Sequence, residues 1–545
     1  VPAEVDVACY ASVPELMEQS FAKYASACAY LGMGTALSFG DLGRYSRALG
    51  AWLQTKGLRR GDRVALMMPN VLAYPVATAA VLRAGLVIVN VNPLYTPREL
   101  EHQLRDSEAS AIVILENFAA TLQEVLERVP LKVVVVTTMG DLQPLWKGML
   151  VNHMVRRVKK LVPPWKLPGS FSFGQALKEG SSMTLAKVDL EPSDLAVLQY
   201  TGGTTGVSKG AMLLHSTIIA NLLTSEAWMQ AGLKRKPTTG QLTIVCALPL
   251  YHVFAFITCG LLGLRTGARN LLITNPRDLP QMIETLKPHR VHIFPGVNTL
   301  FNGLLNHPAF AALDFSELVI SNGGGTAVQE AVAARWLRTT GCPIVEGYGL
   351  TETCSGVTCN PTDSLEFTGT VGLPLPNVSI RIIDDEGRRV PTGHAGEIAI
   401  RGPQVMAGYW RRADDTAHAM TPDGYFKSGD IGTMDERGYI RIVDRKKDMI
   451  LVSAFNVYPP ELEAVVASHP GVLECAAVGV PDEKTGEAVK LFVVRKDPTL
   501  AEADLAAFCA GQLTAYKRPK LIVFKNDLPK SNVGKILRRE LRESA

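Results

Sequence analysis

The chain lacks a marked excess of charge of either sign: 56 basic against 52 acidic residues leave a net charge of +4 over 545 residues. A protein that grips nucleic acid through its whole surface needs a far more basic balance, so no nucleic-acid partner is expected. Cysteine is scarce and unpatterned, with nine residues, an odd number, and no Cys-x-x-Cys pair. That excludes a disulfide framework and a zinc ribbon, and a reducing, cytoplasmic compartment is expected. Val1 to Tyr10 has no basic stretch leading into an apolar core, so a secretory signal is not expected, although the sequence opens without an initiator Met. Long apolar runs are also rare. Leu242 to Leu264 has the hydropathy of a membrane span, but Pro249, Tyr251 and His252 interrupt it. It reads instead as a buried strand, Thr243 to Leu248, then a loop, then a core helix from about Phe254.

What is present is the material of a soluble α/β enzyme: 47% hydrophobic and 20% charged residues, with Gly and Pro spread throughout. A chain this long exceeds one hydrophobic core, so two or more domains are expected. Short β-branched runs alternate with helical patterns at Arg63 to Met68, Val87 to Asn90, Ala111 to Leu115, Lys132 to Thr137, Ala196 to Gln199, Val291 to Phe294 and Leu318 to Ile320. Such alternation predicts parallel sheets flanked by helices. After about residue 370, period-two stretches at Ser379 to Ile383, Gly396 to Arg401 and Tyr439 to Val443 predict an antiparallel region. The charged cluster Asp444-Arg445-Lys446-Lys447-Asp448 marks a boundary between units 1–444 and 445–545. Within Gly148 to Leu167, Leu150, Met154, Val158 and Leu161 or Val162 recur at helical spacing, with Arg156, Arg157, Lys159 and Lys160 off that stripe. A basic amphipathic helix of this kind can lie on an anionic membrane surface. The alternative is an ordinary surface helix whose apolar face covers the core.

The richest chemistry lies in Tyr200-Thr201-Gly202-Gly203-Thr204-Thr205-Gly206-Val207-Ser208-Lys209-Gly210. Glycines let backbone N–H groups approach phosphate, hydroxyls add donors, and Lys209 supplies a cation. The standard phosphate loop of nucleotide triphosphatases is excluded, because Gly210 follows Lys209 where Ser or Thr is required. Apolar flanks argue against a flexible linker. Downstream, Gly347-Tyr348-Gly349-Leu350-Thr351-Glu352-Thr353 offers an aromatic face for a base, a hydroxyl for phosphate and a hard oxygen ligand for Mg²⁺. Asn322-Gly323-Gly324-Gly325 places bare backbone at the C-terminal end of a strand, where α/β sheets bind ligands. Lys427-Ser428-Gly429-Asp430 supplies a carboxylate for ribose hydroxyls, Asp444-Arg445 a charged pair, and Pro529-Lys530-Ser531-Asn532-Val533-Gly534-Lys535 a lysine after a glycine.

In this order and spacing, with Pro249-Leu250-Tyr251-His252, Gly402-Pro403-Gln404-Val405-Met406 and the string Asp444 to Ser453, the motifs resemble the adenylate-forming superfamily. That superfamily comprises acyl-CoA synthetases, adenylation domains and luciferases, and the resemblance is nearest to bacterial long-chain fatty acid–CoA ligases. It runs from about residue 10 to the end. It implies an α/β fold: a large N-terminal domain of two parallel-sheet subdomains plus a distorted β-barrel, with a small mobile α+β C-terminal domain. It implies fatty acid, ATP and CoA as substrates, with Mg²⁺, and reaction through acyl-AMP. By motif, Lys535 bridges the carboxylate and the α-phosphate. Thr201, Gly202, Gly203, Thr204, Thr205, Gly206 and Lys209 hold the outer phosphates, and Glu352 holds Mg²⁺. Tyr348, Gly349 and Gly323 to Gly325 bracket adenine, Asp430 and Arg445 fix the ribose, and Thr351 touches the α-phosphate. His252, Gly323 and Thr326 flank the acyl site, Phe256 gates the acyl tunnel, and Lys447 is the hinge. Ser453, Ala454 and Phe455 line the pantetheine tunnel, with Ala454 standing where relatives usually carry glycine. A homodimer is among the assemblies this resemblance allows.

Other readings share the motifs: a CoA ligase for medium-chain or aromatic acids, an acyl-AMP ligase feeding a carrier protein, or a non-catalytic acyl-nucleotide sensor. Apolar linings around His252, Val297 to Leu300 and Gly323 favour an aliphatic tail. Retention of Lys535, Glu352 and Asp430 together argues against the sensor, because binding alone does not need an in-line cation.

Overall fold

The computed structural model describes residues 1–201, 208–445, 448–453, 455–482, 484–531 and 534–543, without the side chains of Arg445 and Asn456. Two large sheets carry the N-terminal part. The first has seven strands in the order Phe171–Ser172, Val133–Thr137, Ala109–Leu115, Arg63–Met67, Val87–Asn90, Leu195–Tyr200, Gly210–Leu214. All neighbours are parallel except the last pair, which is antiparallel, with Tyr200 opposite Gly210. The Val-Val-Val-Val-Thr run of the second strand is buried throughout, which is why it reads as a continuous apolar stretch rather than an alternation.

The second sheet has nine strands, with Thr243–Cys246, Ile293–Gly296, Ile320–Gly323 and Ile344–Leu350 as parallel central members. Their C-terminal ends point to a common crevice, the usual ligand edge of a parallel sheet. Strand limits shift by up to three residues from the sequence reading; Ile320–Gly323 in particular takes the first glycine of the triplet into the sheet. A methyl on Gly323 would meet Val328 Cγ2 at 2.7 Å and Ile344 Cγ2 at 2.9 Å, so this glycine serves close packing.

The region expected as a distorted β-barrel is a four-stranded antiparallel sheet, Ser379–Ile383, Gly396–Arg401, Phe426–Met434 and Ile440–Arg445. A bridge from Gly372 to Ile440 stitches it to the edge of the nine-stranded sheet. From Ile450 a separate α+β unit follows: five strands with a core of their own around Val466, Leu491 and Leu505.

Leu242 to Leu264 forms the strand Thr243–Cys246 and then the helical turns Val253–Ala255, Phe256–Leu261 and Leu262–Thr266, the middle one a π-helix. Among the described residues no helix is long and apolar enough to cross a membrane. The helix expected over 148–167 begins and ends early, as Leu145–His153 extended by a π turn Met154–Val158. Lys160, with φ of 51°, is already left-handed, so Leu161, Val162 and Trp165 lie beyond the helix. Its apolar stripe does not cover the core: Leu145, Trp146, Met149, Leu150, Met154, Val158 and Leu161 are all exposed.

Candidate active site

A cavity of about 950 Å³ opens between the two large sheets, the antiparallel sheet and the C-terminal unit. Thr201, His252, Gly324, Gly325, Tyr348, Gly349, Thr351, Glu352, Asp430 and Lys535 all face it. Residues from six separate motifs therefore meet in one place.

Tyr348, near the end of Ile344–Leu350, donates its hydroxyl to Asp430 Oδ2 at 2.6 Å, and both are buried. This bond ties the aromatic expected to bracket adenine to the carboxylate expected to hold ribose. Gly324 lines the same cavity, and a methyl there would come within 3.0 Å of Phe254 and 3.4 Å of the Gly347 carbonyl oxygen, so this close approach depends on glycine. Arg445 is the register partner of Asp430 across the antiparallel sheet, and its side chain lies outside the described residues.

Glu352 follows Thr351 in a short turn that the Thr353 hydroxyl closes by accepting from Leu350 N at 2.9 Å. Its carboxylate accepts a 2.8 Å hydrogen bond from Tyr409 Oη, and its carbonyl accepts from Met406 N at 2.7 Å. A single fixed carboxylate facing a cavity fits Mg²⁺, which keeps most of its shell as water and substrate phosphate oxygens.

Only the ends of the phosphate-loop motif are described; Gly202, Gly203, Thr204, Thr205 and Gly206 lie outside the described residues. Its base is braced: Thr201 N donates to the Lys209 carbonyl at 3.0 Å, and Tyr200 Oη donates to Asp106 at 2.7 Å. Arg412 binds the same Asp106 at 2.8 Å. Lys209 does not face the cavity here. Its Nζ pairs with Asp415 at 2.6 Å and lies 5.3 Å from the centre of the Tyr409 ring.

His252 caps the helical turn that follows it, accepting from Phe254 N at 3.4 Å. Burial, with the Lys535 charge nearby, lowers its pKa to about 4, so at neutral pH it is an uncharged imidazole. Lys535 sits at the end of a tight loop in which its N–H donates to Ser531 Oγ at 3.1 Å and Gly534 N donates to the Ser531 carbonyl at 2.9 Å.

The apolar part of the cavity differs from the sequence expectation. Its wall comes from Trp228, Met229, Val253, Phe254, Leu262, Ile293 and Ile320, and neither Val297 to Leu300 nor Gly323 contributes. Trp228 and Met229 belong to the long helix His215–Arg235, in which polar and apolar residues are intermixed, so no clear stripe marks which of them face a ligand. Phe256, expected as a tunnel gate, is buried on the other side of its π turn, against a small void beside Tyr30 and Tyr74. The neighbouring aromatic Phe254 takes the cavity side, because residues two apart on a helical turn point to opposite faces. Thr326 is half-buried and does not line the cavity. Ser453 and Phe455 also lie off it: Ser453 is left-handed with φ of 58°, and Phe455 stacks on Tyr516 at 4.6 Å. Lys447 and Ala454 lie outside the described residues.

One buried acid escaped the sequence reading. Glu346 precedes the Gly347 motif, accepts from Val328 N at 2.9 Å, and is pushed up to about 7 by burial. Between about pH 4.5 and 7 the folded state therefore holds the extra proton, and stability falls as pH rises through that window. Glu346→Gln keeps an acceptor for Val328 without the charge. It is expected to stabilise the protein by roughly 2–3 kcal/mol at pH 8 and by little at pH 5, as read from thermal melts at both pH values.

Comparison with known proteins gives the class. The AMP-binding enzyme model matches residues 17–410, and the model of the AMP-binding enzyme C-terminal domain matches residues 461–535. The chain belongs to the AMP-binding enzyme family. Within the family it is 53% identical to a long-chain-fatty-acid–CoA ligase of Escherichia coli O6:H1, over 100% of this chain and 96% of that enzyme. The structure of the anthranilate CoA ligase AuaEII in complex with anthranoyl-AMP shares the fold, with TM-score 0.85 at 23% identity over 100% of this chain and 98% of that one. ATP-bound MatB from Rhodopseudomonas palustris matches with TM-score 0.80 and 29% identity over 97% of this chain and 98% of that one.

Proposed function

We propose that this enzyme joins a long-chain fatty acid to CoA through an acyl-AMP intermediate, releasing pyrophosphate and AMP. The observation that carries this reading is the continuity of the cavity, which runs from the polar group Tyr348, Asp430, Glu352 and Lys535 into an apolar compartment walled by Trp228, Met229, Leu262 and Ile320. A charged head and an aliphatic tail are thus served by one space.

In the first half-reaction a carboxylate oxygen attacks the α-phosphorus of ATP. The new C–O–P bond forms as the bond to pyrophosphate breaks, and the electron pair leaves with the pyrophosphate. Two anions must approach, so Lys535 is assigned to lie between carboxylate and α-phosphate, with Thr351 donating to the same phosphate. Tyr348 stacks on adenine over the bare backbone of Gly324 and Gly325, and Asp430 takes the ribose hydroxyls. Glu352 is the residue to hold Mg²⁺, which neutralises phosphate charge when bound. His252, uncharged, borders the carboxylate without competing with Lys535 for it. In the second half-reaction the CoA sulfur attacks the acyl carbon, the thioester forms, and AMP leaves. Lys535 occupies the approach to that carbon, so the unit beginning at residue 445 is assigned to turn away between steps, about Lys447, bringing the Ser453 to Phe455 loop to the pantetheine path.

The test is acid-dependent pyrophosphate release across chain lengths, with and without CoA. Rising specificity up to long saturated acids, with acyl-CoA as product, is expected. A preference for aromatic or short acids, or transfer only to a carrier protein, would overturn it.

For location, the reading includes peripheral contact with an anionic membrane through residues 145–166. Leu145, Trp146, Met149 and Leu150 are 81%, 67%, 60% and 55% exposed, an unusual concentration of outward apolar side chains. Arg157, Lys159, Lys160 and Lys166 stand exposed beside them, complementary to acidic headgroups. Trp146→Glu combined with Leu150→Glu is expected to cut co-sedimentation with phosphatidylglycerol vesicles at least ~10-fold, leaving activity on a short soluble acid unchanged.

A further inference from the structure

The helix Asn298–Leu305 of the large domain touches the C-terminal unit at two points. Thr299 Oγ1 donates to the carbonyl of Gly534 at 3.0 Å, and Asn302 Nδ2 donates to the carbonyl of Leu473 at 3.2 Å. The first contact falls one residue before Lys535, inside the same tight loop. Its backbone approach is close: a methyl on Gly534 would meet Thr299 Oγ1 at 2.7 Å and Val297 Cγ2 at 3.2 Å, and Gly534 has φ of 77°. Val297 also lies beneath Gly325, 3.7 Å from where a methyl on that residue would sit. The same short segment therefore meets both the glycine floor of the nucleotide slot and the loop that presents the lysine.

The helix is itself fixed to the large domain. Asn298 Oδ1 accepts from Gln329 N at 3.0 Å, and Arg335 reaches Asn302 Oδ1 at 3.3 Å and the Leu305 carbonyl at 3.1 Å. It thus acts as a rigid rail rather than a passive surface. Both partner carbonyls belong to the unit that must leave for the thioester step, so both hydrogen bonds exist only while Lys535 is in the cavity.

We infer that Asn298–Leu305 is a docking rail specific to the adenylation half-reaction, and that Thr299 is a positioning residue for Lys535. This rests on the functional reading above and adds a residue-level device that selects one of its two conformations. A bond made in one state alone biases the equilibrium by the whole of its net strength.

Thr299→Val removes the hydroxyl at nearly constant volume, and Asn302→Asp removes the amide donor while keeping the acceptor for Arg335. Two measurements separate the half-reactions: fatty-acid-dependent ATP–pyrophosphate exchange, and CoA-dependent consumption of synthetic palmitoyl-AMP. Each variant is expected to lower exchange about three- to ten-fold, the effect of one lost hydrogen bond, while consumption of palmitoyl-AMP is retained or raised. Thr299→Ser, which keeps the donor, is expected to restore exchange. Native exchange rates in both variants, or equal losses in both half-reactions, would overturn the inference. Absence of acid-dependent exchange in the unaltered enzyme would instead remove the functional reading, and the inference with it.

Discussion

Lys535→Ala is expected to lower acid-dependent pyrophosphate release by about 10²–10³-fold, the typical cost of losing a preorganised charge at a developing anionic centre. The loop around it explains why the charge is preorganised. Gly534 takes a left-handed conformation, and Ser531 accepts from the Lys535 N–H, so the backbone is set before substrate arrives. His252 adds no competing positive charge near neutral pH, since its pKa lies at about 4. Thioester formation from supplied acyl-AMP does not use this lysine and is expected to stay within about three-fold of the native rate, inside the range of a single weak contact. A comparable loss in both half-reactions would show that Lys535 is needed for folding or for binding AMP generally. The readout is ATP–pyrophosphate exchange set beside consumption of synthetic acyl-AMP.

The second large effect is expected at Glu352. Glu352→Gln is isosteric, and its amide oxygen can still accept from Tyr409 Oη, so the turn Thr351–Thr353 should persist. What is lost is the negative charge that matches Mg²⁺, and adenylation is expected to fall by about 10²-fold with a raised requirement for magnesium. Tyr409→Phe removes one hydrogen bond and should cost only about five-fold, chiefly in KM for MgATP. Titration of both variants with Mg²⁺ at saturating fatty acid distinguishes them. Activity of Glu352→Gln within about five-fold of native at every Mg²⁺ concentration would remove this residue from the metal role, since a lost hydrogen bond alone accounts for that much.

Much of this architecture was legible in the linear chain. The β-branched runs at Val87–Asn90 and Ser379–Ile383 form strands with the expected limits, because strand formation there follows from residues within one turn or pleat of each other. The motif residues Tyr348, Asp430, Glu352 and Lys535 do meet in one cavity. What failed was orientation. Phe256 and Phe254 are both aromatic and two residues apart on a helical turn, so they point to opposite sides, and only the packing of that turn decides that Phe254 faces the cavity while Phe256 faces the core. The apolar stripe at 150–161 has the period of a core-facing helix, and no periodicity reveals whether anything covers it.

Residue chemistry and order along the chain, taken alone, determined the class of fold and the nucleotide and carboxylate chemistry. Tertiary structure alone decided which partners the side chains have: Tyr409 on Glu352 across 57 residues, Tyr348 on Asp430 across 82, Thr299 on Gly534 across 235, and Lys209 on Asp415. The physical reason is range. Propensity, capping and alternation act within a few residues, whereas these contacts follow from how sheets and domains pack against one another, and packing is a property of the whole chain.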